Sequence, residues 1–339
     1  MNSRIIKCVA GSGKTTQSKH MMERGKNGLY IAYTNKVVNE MRDAGLMGKT
    51  IDSLFQSYII PKFIRLFPLV STKSRMEYVL FSSIPPRLRA IEKVSIDPKD
   101  GTILFGRKRK AYSLYSTRNE LPEGRDDFFI KIMFSDKVCM ITDRVREQLS
   151  LLIINRYPDE LLDILRRRFS FIIIDEAQDL KGYREKFAEL LHASNIETTF
   201  LGDDNQNIMG GGKWFENLRA DKYNNQSHRC PRDVCGWIRE NLGINIIGDE
   251  RKRGSFQQIT YADTEALDDG ARVLLYPNIN GRNGEVVRKW NGKKYTIRTA
   301  KGLTIDDDIV VIGNKLSKRN LYTALTRTTK NAYCAAKVK

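Results

Sequence analysis

Ala10-Gly11-Ser12-Gly13-Lys14-Thr15 joins a short, mostly apolar run, Ile5 to Val9, to a helix-compatible segment, Thr15 to Arg24. Glycines in such a loop let backbone N–H groups turn towards phosphate oxygens, and the helix start adds partial positive charge. Lys14 is then placed to reach β- and γ-phosphates, and the Thr15 hydroxyl to reach Mg²⁺. Gly11, Ser12, Gly13, Lys14, Thr15 and Thr16 are therefore the expected phosphate-binding residues. The generic loop has glycine six residues before the lysine, whereas Cys8 stands here. A second constellation, Ile172-Ile173-Ile174-Asp175-Glu176, ends an apolar strand with two acids. Open α/β sheets bind ligands at that strand edge. Asp175 suits Mg²⁺ held through water, and Glu176 suits orienting and deprotonating an attacking water. The two constellations together point to an NTP hydrolase without choosing among the phosphate-loop families.

Positioning these groups requires a strand, loop, helix and strand in succession, with Leu29 to Tyr33 as the second strand. Phe169 to Ile174 and Thr199 to Leu201 are further buried strands. Strands alternating with helices predict an α/β fold with parallel sheets. From Gln56 to Arg168 the character changes: prolines interrupt it, and Lys/Arg clusters occur at Arg107–Lys110 and Arg166–Arg168. Helical periodicity fits Met140 to Ile154. This stretch reads as a basic, mostly helical insertion, 56–168, in a first α/β domain formed by 1–55 and 169–217. A second α/β domain, 218–339, should hold strands near Arg272–Tyr276 and Asp308–Ile312 and a helix near Asn320–Arg327.

Composition bounds the partners. The 339 residues are 41% hydrophobic and 29% charged, as in ordinary globular proteins, and suffice for two or three domains. The net charge of +18 favours a polyanion, nucleic acid first, with acidic protein or membrane surface behind it. No apolar run approaches a bilayer span, and the first residues lack a signal-peptide plan, so a cytoplasmic protein of a bacterial, phage-infected or virus-infected cell is expected. Of the cysteines at 8, 139, 230, 235 and 334, only Cys230 and Cys235 are close, and His228 completes no zinc set. Buried, reduced thiols are the better reading.

Asp175-Glu176-Ala177-Gln178-Asp179 resembles motif II of superfamily 1 helicases of the UvrD/Rep/PcrA type. Other segments are similar to the remaining motifs in the family order: Ala32 to Lys36 with Glu40-Met41 (Ia), Thr50 to Phe55 (Ib), Leu201 to Gln206 (III), Ser227 to Pro231 (IV), Thr296 to Leu303 (V) and Leu321 to Arg327 (VI). The resemblance runs from residue 10 to 327. It implies two RecA-like domains with the nucleotide between them, ATP or another NTP with Mg²⁺ as cofactors, and single-stranded nucleic acid, DNA favoured over RNA, as partner. Replication or repair proteins are further conceivable partners. It implies Gln206 as γ-phosphate sensor, Arg229 and Arg327 as arginine fingers, His228 in the place of an adenine-stacking tyrosine, and Gly302 near the nucleotide. Tyr33, Thr34, Asn35, Trp214 and Thr299 would touch the strand. For Tyr33 and Trp214 a core aromatic, and for His228 a satisfied, partly buried histidine, stay open as alternatives.

The sequence also departs from that family. No glutamine-bearing motif precedes the loop, which leaves ATP preference over other NTPs open. Asp52 stands for the motif Ib histidine, where an acid would repel phosphate. Arg298 stands for the motif V histidine, and Thr304 for a ribose-contacting glutamate. Motifs V and VI also lean towards RecD/Dda-type and viral enzymes, so 3′ to 5′ movement is only weakly favoured. Arg229 and Thr296 are too close for the large extra domain that UvrD-type enzymes carry between them. A non-unwinding translocase or loader, or an NTP-dependent nucleic-acid-binding switch, stands beside the helicase reading.

Overall fold

The computed structural model describes residues 2–25, 27–71 and 73–339. The fold is α/β with parallel sheets. The chain groups into two compact units. One comprises Met1–Ser3, Asn27–Ile172 and Lys181–Glu197; the other comprises Arg4–Lys26, Ile173–Leu180 and Thr198–Lys339.

The second unit carries the phosphate loop and both acidic strand ends. Strand Ser3–Cys8 lies between Lys222–Asn224 and Glu197–Gly202, and Phe171–Ile174 follows Glu197–Gly202 on its other side. Ser3–Cys8 and Lys222–Asn224 run parallel, with Ile6 opposite Lys222 and Cys8 opposite Asn224. Ile5, Ile6, Ile172, Ile173, Ile174, Phe200 and Leu201 are all buried. Runs apolar at every position, rather than alternating, mark strands covered on both faces, which is why these segments enter a parallel sheet. A second, five-stranded parallel sheet runs in the order Phe256–Gln258, Ala332–Cys334, Ile309–Val311, Val273–Tyr276, Lys294–Thr296. Helix Lys318–Leu325 packs here, capped by the Ser317 side chain, which accepts from the Asn320 N–H. It buries Leu321, Tyr322, Ala324 and Leu325 in the same core as Val9 and Ala10. The strands near Arg272–Tyr276 and Asp308–Ile312 and the last helix thus form as expected. The flanking strands Phe256–Gln258, Lys294–Thr296 and Ala332–Cys334 were not foreseen, because three residues are too few to display a period.

In the first unit, Gly28–Ile31 pairs in parallel with Gly48–Lys49, connected by helix Asn35–Asp43. Phe55 anchors the core here, with edge contacts to Tyr183 and Phe187 at 5.2 and 5.1 Å. The stretch 56–168 mixes α-helices, of which Asp143–Arg156, capped at Thr142, is the longest, with short 3-10 turns and strands. It also holds an antiparallel sheet, Val94–Ile96, Thr102–Phe105 and Lys108–Ser113, turning at Gly106 with φ 64°, and a parallel pair, Arg75–Val79 with Val138–Thr142. Met140 to Thr142, at the head of the expected helix, belongs to that pair. Among the described residues no helix is long and apolar enough to cross a membrane.

Candidate functional site

Strand Ser3–Cys8 ends under the loop, where the Val9 N–H donates to the Asn224 carbonyl at 2.9 Å. Gly11 and Gly13 adopt φ of 72° and 81°, a region other residues enter at a cost. At Gly11 a side chain is excluded twice over, since a Cβ there would lie 2.6 Å from the Arg229 Cβ and 2.8 Å from the Ser227 Oγ. Gly13 opens helix Lys14–Arg24, whose first turn carries no side-chain cap. Uncapped first-turn N–H groups attract an anion. The buried Ser12 Oγ has no hydrogen-bond partner among the described residues. Thr15 and Thr16 are exposed. Burial works against the Lys14 ammonium, but the carboxylates of Glu176, Asp203 and Asp175 outweigh it and hold the lysine charged.

Asp175 is buried at the end of its strand, and its Oδ1 accepts the Glu176 N–H at 2.8 Å. Glu176 has φ 54° and ψ 40°. A glutamate in the left-handed region costs on the order of 1–2 kcal/mol, and such strain gathers at working sites. Burial pushes the Glu176 carboxyl up in pKa, yet Lys14, Lys301, the Gln178 amide and Arg327 more than reverse this and keep it ionised. The Gln178 side chain bridges two strand ends: its Nε2 donates to Glu176 and its Oε1 accepts the Asp203 N–H at 3.0 Å.

Around Asp203 the polar groups form one buried network. Its Oδ2 accepts from Tyr322 Oη and Gln206 Nε2, each at 2.8 Å. The same Tyr322 hydroxyl accepts the Ala10 N–H of the phosphate loop at 2.9 Å. Gln206 Oε1 receives Arg327 Nη2 at 3.1 Å. Lys301 Nζ donates to both oxygens of Asp179 at 2.6 Å and to the Gln206 carbonyl at 2.7 Å. Arg327 is 1% exposed and its remaining partners are the Thr323 and Leu303 carbonyls and the Thr326 hydroxyl. Arg229 donates to the Leu303 and Thr326 carbonyls. Neither arginine makes an ion pair among the described residues, and burial together with Arg229 lowers Arg327 to about 10. A buried guanidinium without a carboxylate is costly unless an anion comes to it.

The structure thus brings Gly11, Gly13, Lys14, Asp175, Glu176, Gln206, Arg229 and Arg327 into one region of the second unit. Gln178, Asp179, Asp203, Lys301 and Tyr322 belong to the same network, although the sequence reading assigned them no role. Each lay inside a quoted motif, but a hydrogen bond across more than a hundred residues has no sequence signal. The residues fit a nucleotide with Mg²⁺: a glycine cradle, an orphaned Ser12 hydroxyl, a charged lysine and unpaired guanidiniums for phosphates, and Asp175 with Thr15 for the ion. Few protein ligands suffice for Mg²⁺, which keeps water and phosphate oxygens in its shell. Among the described residues no group of three or more His, Cys, Asp or Glu could hold a metal alone, and all five cysteines are buried free thiols.

The remaining expected residues are more scattered. His228 is exposed; its backbone N–H donates to the Gly11 carbonyl at 2.8 Å, and its Cδ2 lies 3.8 Å from where a Gly13 Cβ would be. Gly302, with φ 88°, follows the short helix Ile297–Ala300. Thr299 in that helix is exposed and bonds Thr296. Trp214 is half-buried, its ring centre 5.2 Å from that of Phe200 in an edge-on contact. In the first unit, Tyr33, Thr34 and Asn35 are exposed at the start of helix Asn35–Asp43. Asp52, the acid in place of the motif Ib histidine, is partnered. Arg184 grips it through Nε and Nη2 at 2.7 Å, the Tyr183 hydroxyl donates to it, and Arg146 stands 3.7 Å away. Against the opposing effect of burial, these partners hold its carboxyl below the usual range.

Residues 107–211 match the UvrD/REP helicase N-terminal domain family. Over that stretch the chain is similar to the UvrD/REP helicases. No curated protein matches it. Among solved structures, it is similar to the arterivirus nonstructural protein 10 helicase (12% identity, TM-score 0.45) and to that protein's complex with DNA (12%, 0.46). The PRRSV helicase is another (11%, 0.46). Each alignment covers 98% of this chain but only 59%, 60% and 52% of the respective helicase chain.

Proposed function

We propose that this protein is an NTP-driven superfamily 1 motor that moves on single-stranded nucleic acid, DNA in preference to RNA, and separates duplexes. The observation that carries the reading is the network from the Ala10 N–H through Tyr322, Asp203 and Gln206 to Arg327. It ties the loop that would hold phosphates to the guanidinium that would sense them, so a change at one end is felt at the other. In this reading Lys14 and the N–H groups of Gly11 to Thr16 hold the β- and γ-phosphates. Thr15 and Asp175 hold Mg²⁺, which supplies charge neutralisation on the phosphates. Glu176 takes the proton of the attacking water. Gln206 orients, and Arg229 and Arg327 meet the charge that spreads over the transferring phosphoryl group. His228 and Gly302 flank the nucleotide. Tyr33, Thr34, Asn35, Trp214 and Thr299 grip the strand, with stacking that tolerates any base.

The test is steady-state NTP hydrolysis without strand, with single-stranded DNA and with RNA, using Glu176→Gln as control. Strong stimulation by DNA that vanishes in the variant supports the motor and its substrate. Stimulation by RNA alone moves the substrate to RNA. No hydrolysis, or indifference to both strands, overturns the motor reading. A strand-displacement assay on a tailed duplex then separates helicase from translocase.

A further inference from the structure

The structure treats the two basic clusters of the stretch 56–168 differently. At the hairpin, Arg109 is tied to Asp97 and Asp100, and Lys110 to Asp126 and Asp127. Two of that cluster's four cations are thus neutralised by nearby acids, while Arg107 and Lys108 make no ion pair among the described residues. At the other, Arg166 is held by Asp163, but Arg168 is not paired. It joins Lys62, Lys49 and Arg42 on the first unit, and none of these four makes an ion pair among the described residues. Arg168 and Lys62 lie 4.6 and 5.0 Å from the centre of the Tyr58 ring, whose hydroxyl donates to the Ile164 carbonyl. Lys49 donates to Ser57 Oγ at 2.9 Å, and Arg42 Nε to the Gly48 carbonyl at 3.0 Å. Burial, then the positive charges of Arg42 and Arg168, pull the Lys49 ammonium below its usual range, so these groups form one field. Arg65 and Arg167 are exposed on the same two segments.

We infer that Arg42, Lys49, Lys62 and Arg168 form a second nucleic-acid surface, which takes the sugar–phosphate backbone of a duplex. Cations collected without counter-charges repel one another, and a polyanion relieves that repulsion while releasing its own counterions. Duplex is favoured over single strand by the aromatic content. A single-strand groove offers ring faces for bases to stack on. Here Phe169, beneath Arg168, is buried, and Tyr58 is engaged by two cations and tethered through its hydroxyl, so these rings present charge rather than a stacking platform. The inference rests on the reading that the chain works on nucleic acid. It adds a grip on double-stranded substrate outside the residues assigned to the motor.

The experiment measures binding of a blunt hairpin duplex by fluorescence anisotropy over a salt series, for the wild type and Lys62→Glu/Arg168→Glu. Each lost phosphate contact lowers the magnitude of the log–log salt slope by about 0.9, so the variant should lose about 2 in slope and about tenfold or more in affinity. Single-strand-stimulated hydrolysis at saturating strand should be unchanged. If the charge reversal unfolds the chain by circular dichroism, Arg42→Gln/Lys62→Gln replaces it, with the same loss of slope expected. Duplex binding absent in the wild type, or a slope untouched in the folded variant, overturns the proposal. So does an equal loss of strand-stimulated hydrolysis, which would put these residues in the motor track. If the wild type fails to hydrolyse NTP yet binds duplex with the stated slope loss, the motor reading falls while this surface stands.

Discussion

Tyr322→Phe removes one oxygen atom and tests the network that carries the functional reading. The hydroxyl accepts the Ala10 N–H at 2.9 Å and donates to Asp203 at 2.8 Å, and both partners are buried. The ring remains, so packing around Leu321, Ala324 and Leu325 is kept. Asp203 retains Gln206 and the Asn205 N–H, whereas the Ala10 N–H loses its acceptor outright. A buried donor left without a partner costs about 1–3 kcal/mol, so a loss of about 2 kcal/mol is expected. For a chain of this size that lowers the melting temperature by roughly 3–6 °C. Site-resolved hydrogen exchange is the sharper assay, since about 2 kcal/mol corresponds to roughly thirtyfold faster exchange at Ala10. The coupling of loop to sensor should weaken too, with strand stimulation of hydrolysis falling while unstimulated hydrolysis changes less. An unaltered melting point together with unaltered exchange at Ala10 would show that the latch does not exist in solution and would remove the physical basis of the coupling argument.

Glu176→Gln should retain nucleotide binding and lower hydrolysis by about 10²–10⁴-fold, as measured by steady-state turnover. Glu176→Gly should be equally inactive yet more stable than Glu176→Ala by about 1 kcal/mol in chemical denaturation, because both lose the carboxylate and only glycine releases the backbone strain at φ 54°. Asp179 gives a pH dependence. Burial raises its pKa to about 6 in spite of Lys301, so the folded protein holds this proton more tightly than the unfolded chain. Stability should therefore fall by about 3 kcal/mol as pH rises from about 4 to about 6, and this slope should flatten in Asp179→Asn. Urea denaturation across that window decides it, and a slope that persists in the variant assigns the effect elsewhere. Asp52→Ala strips Arg184 of its bidentate partner and should cost about 2 kcal/mol of stability by the same measurement, whereas an Asp52 that merely faced solvent would cost nothing measurable.

Much of the site was legible because its chemistry is local. The glycine turn before Lys14, the acids after Ile174 and the strand and helix around each are written in adjacent residues whose types admit few other arrangements. The α/β class was equally readable, since Ile172 to Ile174 and Val273 to Leu275 are apolar at every position, as doubly covered strands must be. The hairpin sheet between Val94 and Ser113 was not, because its strands are short, the last of them opens on Lys108-Arg109-Lys110, and Arg109 is fixed by Asp97, which lies outside them. Whether a charged residue is free or spent was likewise decided only in three dimensions. Asp52 reads as a repulsive acid until Arg184 is seen to hold it, and Arg109 and Arg168 look alike until one proves paired and the other not. Asp179, Lys301 and Tyr322 make the same point within the site. Sequence determined which groups are present and which local turns they make; tertiary structure decided their partners, because charge and hydrogen bonding depend on distances in space that separation along the chain does not encode.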